Sequence, residues 1–214
     1  MKTPIADRVR EMRSRAEGGN AFTREQAALA AAGAPRELFP LGVLIPDAEL
    51  LDAHGAKTTL YAELAGRPAV VVLYRGAWCP YCNLTLRTYQ QHLLPRAAER
   101  GAVLIAVSPQ KPDGSLSMQE KHELAFPVLS DPGNSIARAL GALTQPSADL
   151  LVIQRRHGLD LTETNADGTL ELPMPTTVVL DAAGHVRWLD VHPDYTTRSE
   201  PDAILEALEH ATDR

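Results

Sequence analysis

The sequence predicts an α/β fold in which a mixed β-sheet is flanked by helices and preceded by an N-terminal helical arm. Three observations predict it. Residues 69–74 and 102–107 are short, apolar and β-branched, as strands buried on both faces are. Residues 80–99 between them carry helical spacing, with Leu86, Tyr89, Leu93 and Ala97 on one face and Gly101 as the stop. Residues 176–180 and 185–191 read as strands joined by the turn Asp181-Ala182-Ala183-Gly184, an antiparallel hairpin. Strand, helix and strand in succession make a crossover unit, so the first two strands are expected to be parallel, with a right-handed connection.

The remaining elements follow in order. Residues 1–38 form the arm. Thr3 can cap a first helix with Pro4 at its first position; Ile5, Val9, Met12 and Ala16 share a face, and Gly18-Gly19 stops it. A second helix starts at Thr23, with Gln26 completing a capping box and Phe22 and Ala27 as the staple, and ends at Gly33 before Pro35. The main domain spans residues 39–214. Residues 57–60 read as a short strand, and Pro95 as a kink or early break in the long helix. Residues 117–124, 134–140 and 149–156 read as helices, 159–172 as loop, and 200–211 as a closing helix capped by Ser199.

Composition bounds the function. The 214 residues are 44% hydrophobic and 22% charged, enough to build a core. A net charge of −6 excludes a general nucleic-acid binder. Arg8, Arg10, Arg13 and Arg15 are interleaved with Asp7 and Glu11, the pattern of a solvated helix face. The longest strongly apolar run, residues 69–74, is too short to span a membrane. The first eighteen residues lack the apolar stretch of a secretory leader, so a cytoplasmic location is expected. Structural disulfides are rare there. The two cysteines therefore need another explanation, and they sit together as Cys79-Pro80-Tyr81-Cys82.

That dithiol lies where the first buried strand meets its crossover helix. Pro80 suits the first helical position and puts Cys79 at the cap, facing the open N–H groups of Tyr81 and Cys82. Helix amides favour a thiolate, and the thiolate is the nucleophile. Cys82 falls one turn on, within reach of a disulfide. Arg75 adds positive charge nearby, and Trp78 is a candidate shield and substrate contact. A zinc site would need two further ligands; no second cysteine pair exists and the seven histidines lack finger spacing, so no metal or other cofactor is expected. Asp194 and Tyr195, after the last strand, read as structural.

Residues 71–82, VVLYRGAWCPYC, are similar to the peroxiredoxin-like branch of the alkyl hydroperoxide reductase and thiol-specific antioxidant family. Residues 106–110 (AVSPQ), 126–131 (FPVLSD) and 173–181 (PMPTTVVLD) resemble its later strands, and the resemblance runs from about residue 39 to 211. It implies a thioredoxin-like fold and a cis proline, with Pro175 as candidate, facing the dithiol beside Met174. It also implies a peroxide or disulfide substrate and a thioredoxin- or glutathione-type reductant, and admits a homodimer. The family pattern P-x-x-x-T/S-x-x-C does not fit cleanly. With Cys82 in the peroxide-reactive place, Cys79 stands for the Thr and Arg75 for the Pro. With Cys79 there, those places hold Gly76 and Val72. The family's later arginine, just ahead of the hairpin, is replaced by Met174-Pro175. Helix-cap physics favours Cys79 as the attacking thiolate and the family register favours Cys82; the reading leans to Cys79, with Cys82 resolving. Two activities stay open, a thiol peroxidase and a thiol–disulfide oxidoreductase, beside a non-catalytic sensor on the same fold.

Overall fold

The computed structural model describes residues 3–14 and 21–212. Arg15, Ala16 and the expected stop at Gly18-Gly19 lie outside the described residues. The arm comprises α1 (Ile5–Ser14) and α2 (Ala21–Ala32). Next come β1 (Glu49–Leu51), β2 (Lys57–Thr59) and α3 (Leu60–Leu64). The crossover unit is β3 (Ala69–Leu73), α4 (Pro80–His92), α5 (Leu94–Ala98) and β4 (Val103–Ser108). Then follow α6 (Pro112–His122), β5 (Val128–Ser130), α7 (Ser135–Ala139), β6 (Leu143–Thr144), α8 (Ala148–Arg156) and α9 (Leu161–Thr164). The chain closes with β7 (Leu172–Pro173), β8 (Thr176–Leu180), β9 (Val186–Val191) and α10 (Pro201–Thr212).

Seven strands form one mixed sheet in the order β2-β1-β5-β4-β3-β8-β9, and β6 pairs with β7 apart from it. The expected parallel pair is present, with Ala69 opposite Val103 and Leu73 opposite Val107. β5 extends it in parallel, and β8 runs antiparallel to both β3 and β9. All five residues of β3 are buried, because helices cover both faces of this central strand. Side chains alternate across it. Val70, Val72 and Tyr74 join Leu86 and Tyr89 of α4 and Leu205 and Leu208 of α10. Ala69, Val71 and Leu73 join Leu60, Ile105, Leu129 and Ile136 on the other face. No helix among the described residues is long and apolar enough to cross a membrane.

Several boundaries differ from expectation for local reasons. The long helix breaks at Leu93, with Pro95 in the first turn of α5, since proline has no N–H to continue the ladder. Thr59 ends the strand early because its hydroxyl caps α3, accepting from Ala62 N at 3.2 Å. The segment read as loop contains α9, capped by Asp160. β1, β6 and β7 are too short to show an alternating pattern.

The arm departs most. α2 starts at Ala21, so Thr23 and Gln26 lie within it and form no capping box. Thr3 is exposed and Glu200 takes its place, accepting from Ile5 N at 3.0 Å and Ala6 N at 2.9 Å. A carboxylate from the far end of the chain thus satisfies two open amides of α1 and meets its positive dipole end. Ile5 and Val9 enter the core beside α4. We predict that Glu200→Ala destabilises the fold by about 1 kcal/mol, the usual worth of a helix cap, with Glu200→Gln losing less; urea denaturation measures both.

Candidate active site

β3 delivers the chain to the dithiol. Tyr74 continues the ladder by donating to Val107 O at 3.0 Å, and the chain then turns through Arg75 and Gly76. Gly76 has φ +151°, and a Cβ there would lie 2.4 Å from Trp78 Nε1 and 2.9 Å from Gln110 Oε1. Only glycine leaves space for both. Gln110 uses it to accept from Ala77 N at 2.7 Å. Asn83 secures the same loop, donating to Ala77 O at 2.7 Å and Cys79 O at 2.8 Å. His122 of α6 contacts the Asn83 Oδ1 at 2.5 Å.

Cys79 is the N-cap of α4 with Pro80 in the first turn, as the sequence predicts. The expected consequence does not follow. Its side chain makes no capping hydrogen bond, and it is only 1% exposed. Burial, and then its role as hydrogen-bond donor to Cys82, push the Cys79 thiol well above the ordinary range. The acidic sulfur is Cys82. Burial acts against its charge, but the Cys79 thiol, the Arg198 guanidinium, the Arg75 N–H and the Arg75 charge outweigh it and bring Cys82 to about 5. Arg198 Nη2 lies 3.2 Å from Cys82 Sγ. The expected contact between the Cys79 sulfur and the open amides of α4 is absent, so those amides do not offset its burial.

Arg198 is a residue beside the dithiol that sequence reasoning does not single out. The family template places an arginine ahead of the hairpin, and here one arrives from beyond it. The segment 192–199 that carries it is tightly held. Arg198 Nη1 donates to Tyr195 O at 2.6 Å and Thr197 O at 2.5 Å. Tyr89 donates to Ser199 O at 2.7 Å, and Ser199 to Asp190 Oδ2 at 2.7 Å. The arm contributes too: Gln26 donates to Tyr195 OH at 3.2 Å and Arg13 to Thr196 Oγ1 at 3.2 Å. The polar run Asp194–Ser199 right after a strand was the only signal in the sequence.

Arg75, 5% exposed, has no carboxylate partner among the described residues. Its guanidinium carbon lies 4.0 Å from the Tyr195 ring centroid and 5.0 Å from that of Trp78. The aromatic faces hold the cation without neutralising it. Tyr195, read from sequence as structural, thus forms part of the site.

A cavity of about 650 Å³ opens beside the dithiol. Arg75, Trp78 and Cys79 line it, together with Phe22 of α2, Gln154 of α8 and Tyr195. Cys82 is not on its wall. Nor are Met174 and Pro175. Met174 N donates to Ala142 O and Pro175 O accepts from His192 N, so both serve the start of β8. The expected cis proline is absent, as all described peptide bonds are trans. No group of three or more metal-ligating side chains occurs among the described residues.

A dithiol between a central parallel strand and its crossover helix, on a mixed sheet with helices on both faces, defines a thioredoxin-fold protein. The chain belongs to the AhpC/TSA family, which it matches over residues 41–189. It is 29% identical over 165 residues to the chloroplastic peroxiredoxin Q of Gentiana triflora, covering 77% of this chain and 63% of that protein. It is 27% identical over 116 residues to the thiol-disulfide oxidoreductase ResA of Bacillus thuringiensis subsp. konkukian, covering 54% of this chain and 65% of that protein. The chain thus spans less than two thirds of the length of these curated relatives. The crystal structure of peroxidoxin BcpB from Mycobacterium tuberculosis superposes with a TM-score of 0.61 at 21% identity, covering 80% of this chain and 97% of that one.

The two sulfurs should titrate apart. In Cys79→Ser, thiolate absorbance at 240 nm should appear with a midpoint below the free-thiol value of ~8.5, because Arg198 and Arg75 remain; in Cys82→Ser it should stay absent below that value. Because folding lowers the Cys82 pKa, its ionisation favours the folded state above the free-thiol value. That contribution is lost as pH falls through about 5.

Proposed function

We propose that this protein is a thiol peroxidase in which Cys82 attacks the peroxide and Cys79 resolves the product. The observation that carries the reading is the Arg198 guanidinium 3.2 Å from a fully buried, acidic Cys82 sulfur. The Cys82 thiolate attacks one peroxide oxygen and breaks the O–O bond. The sulfur is oxidised to sulfenic acid, and the other oxygen leaves as hydroxide or alkoxide and takes up a proton. Arg198 and Arg75 lie where negative charge passes from sulfur to the leaving oxygen, and such stabilisation is commonly a large catalytic contribution. The Cys79 sulfur then attacks the Cys82 sulfenic acid, expelling water and forming the disulfide. An external thiol returns the pair to the reduced state.

The family register with Cys82 in the reactive place supports this assignment. Cys79 then stands where the family has a hydroxyl residue, and its thiol beside Cys82 favours the Cys82 thiolate. Arg198 supplies the charge missing at Met174-Pro175. A second reading, a thiol–disulfide oxidoreductase, is favoured by one observation: Cys79 rather than Cys82 lines the cavity. The raised pKa of Cys79 weighs against its attacking first, since little thiolate would be present at neutral pH.

Stopped-flow oxidation of the reduced protein by hydrogen peroxide and cumene hydroperoxide tests the proposal. Cys82→Ser should abolish the reaction. Cys79→Ser should halt at a sulfenic acid that dimedone labels at residue 82. Arg198→Met should slow oxidation by ~10²-fold, the usual loss of one charge-stabilising donor. Oxidation no faster than that of free cysteine would remove the peroxidase assignment, and rapid turnover of insulin disulfides instead would favour the second reading.

A further inference from the structure

We propose that the cavity beside the dithiol binds the reductant, a low-molecular-weight thiol carrying carboxylate groups, and directs it to the sulfur of Cys79. The inference rests on the Cys79–Cys82 disulfide being the oxidised form of the cycle.

Access selects the sulfur that is attacked. Cys79 lies on the cavity wall and Cys82 behind it. Leaving-group chemistry selects the same direction. A thiol–disulfide exchange runs faster when the departing sulfur is the more acidic, and a low-pKa thiolate is a poor back-attacker. The incoming thiolate therefore forms a bond to Cys79 Sγ. The Cys79–Cys82 bond breaks, and its electron pair leaves on Cys82, where Arg198 and Arg75 hold the charge. A second molecule of the same thiol attacks the reductant's sulfur in the mixed disulfide. It departs with the first as a symmetric disulfide, and Cys79 leaves as thiolate and takes up a proton. Two thiols are oxidised and one protein disulfide is reduced.

The cavity's size and chemistry select the class of thiol. A volume of about 650 Å³ far exceeds what a peroxide needs, since a water occupies about 30 Å³ of liquid. It falls in the range that encloses a drug-sized organic molecule. A stable protein partner would bury a far broader face than this cavity offers. No carboxylate lines the cavity among the described residues. Arg13 and Arg75 both do; Arg13 shares Asp194 at 3.6 Å, whereas Arg75 has no acidic partner. Two lining residues are almost wholly buried yet keep unpaired polar atoms, Arg75 Nε as donor and Gln154 Oε1 as acceptor. A peptide-like thiol brings carboxylates for the Arg13 and Arg75 cations on the wall. Phe22 and Tyr81 offer apolar surface to its body.

The full-length protein is oxidised with diamide, so preparation does not depend on the peroxide step, and reduction is followed by tryptophan fluorescence. The probes are glutathione, glutathione dimethyl ester and reduced thioredoxin, compared per thiolate. Reduction by glutathione should saturate with concentration. It should exceed reduction by the ester by about tenfold, the loss expected when one charge-assisted hydrogen bond is removed. Acid-quenched intermediates should carry glutathione on Cys79 by fragment-ion mass spectrometry. Leu159→Trp, which fills the cavity, should raise the half-saturating glutathione concentration. A rate linear in glutathione and equal for the ester, an adduct on Cys82, or reduction by thioredoxin alone would each overturn the proposal. Failure of the peroxidase assignment shows separately, as slow peroxide oxidation of the reduced protein.

Discussion

A buried sulfur with an arginine 3.2 Å away is the constraint on which the rest of this structure depends. Burying an uncompensated ion is expensive, so the charge persists only where donors and cations converge on it. Cys82 has no exposed surface; the Arg198 guanidinium lies 3.2 Å from its sulfur, and the Cys79 thiol and Arg75 also favour its charged form. Their origins are far apart in the chain. The Arg75 groups come from the end of the central strand, the thiol from the helix cap, and Arg198 from the segment that precedes the last helix.

That convergence explains features that otherwise look unrelated. Gly76 permits the turn after β3 and lets Trp78 and Gln110 pack against it. Asn83 and His122 fix the loop from the helix side. The polar segment after β9 is held by Asp190, Tyr89 and Ser199, so the arginine it carries is placed rather than loose. The N-terminal arm belongs to the same framework. α1 is anchored on Glu200, and Arg13 and Gln26 grip the Arg198 segment from the other side. The arm thus supports the site and supplies part of the cavity wall.

The division of labour between the sulfurs follows from this environment. In the proposed cycle the buried Cys82 sulfur beside Arg198 accepts the oxygen and later departs as an anion, and the Cys79 sulfur on the cavity wall receives the incoming thiol. A helix N-terminus by itself would have reversed these roles. Amide dipoles act over short range, and the Cys79 side chain makes no contact with them.

The sequence by itself determined the central sheet and the place of the dithiol. Buried β-branched runs at 69–74 and 102–107, helical spacing after Pro80 and the tight turn at 181–184 are local signals, and local sterics and periodicity suffice to read them. Only the tertiary structure decided which sulfur is acidic. Arg198 is 116 residues from Cys82, and no spacing rule links a cation to a sulfur at that separation. The same holds for Glu200 capping α1, for Gln26 leaving its expected cap to meet Tyr195, and for Tyr195 stacking on Arg75. Pro175 and Met174 were placed at the site by resemblance, yet the chain uses them to open β8 with a trans bond. Charge at a buried atom is set by everything within a few ångströms, and only folding determines what those neighbours are.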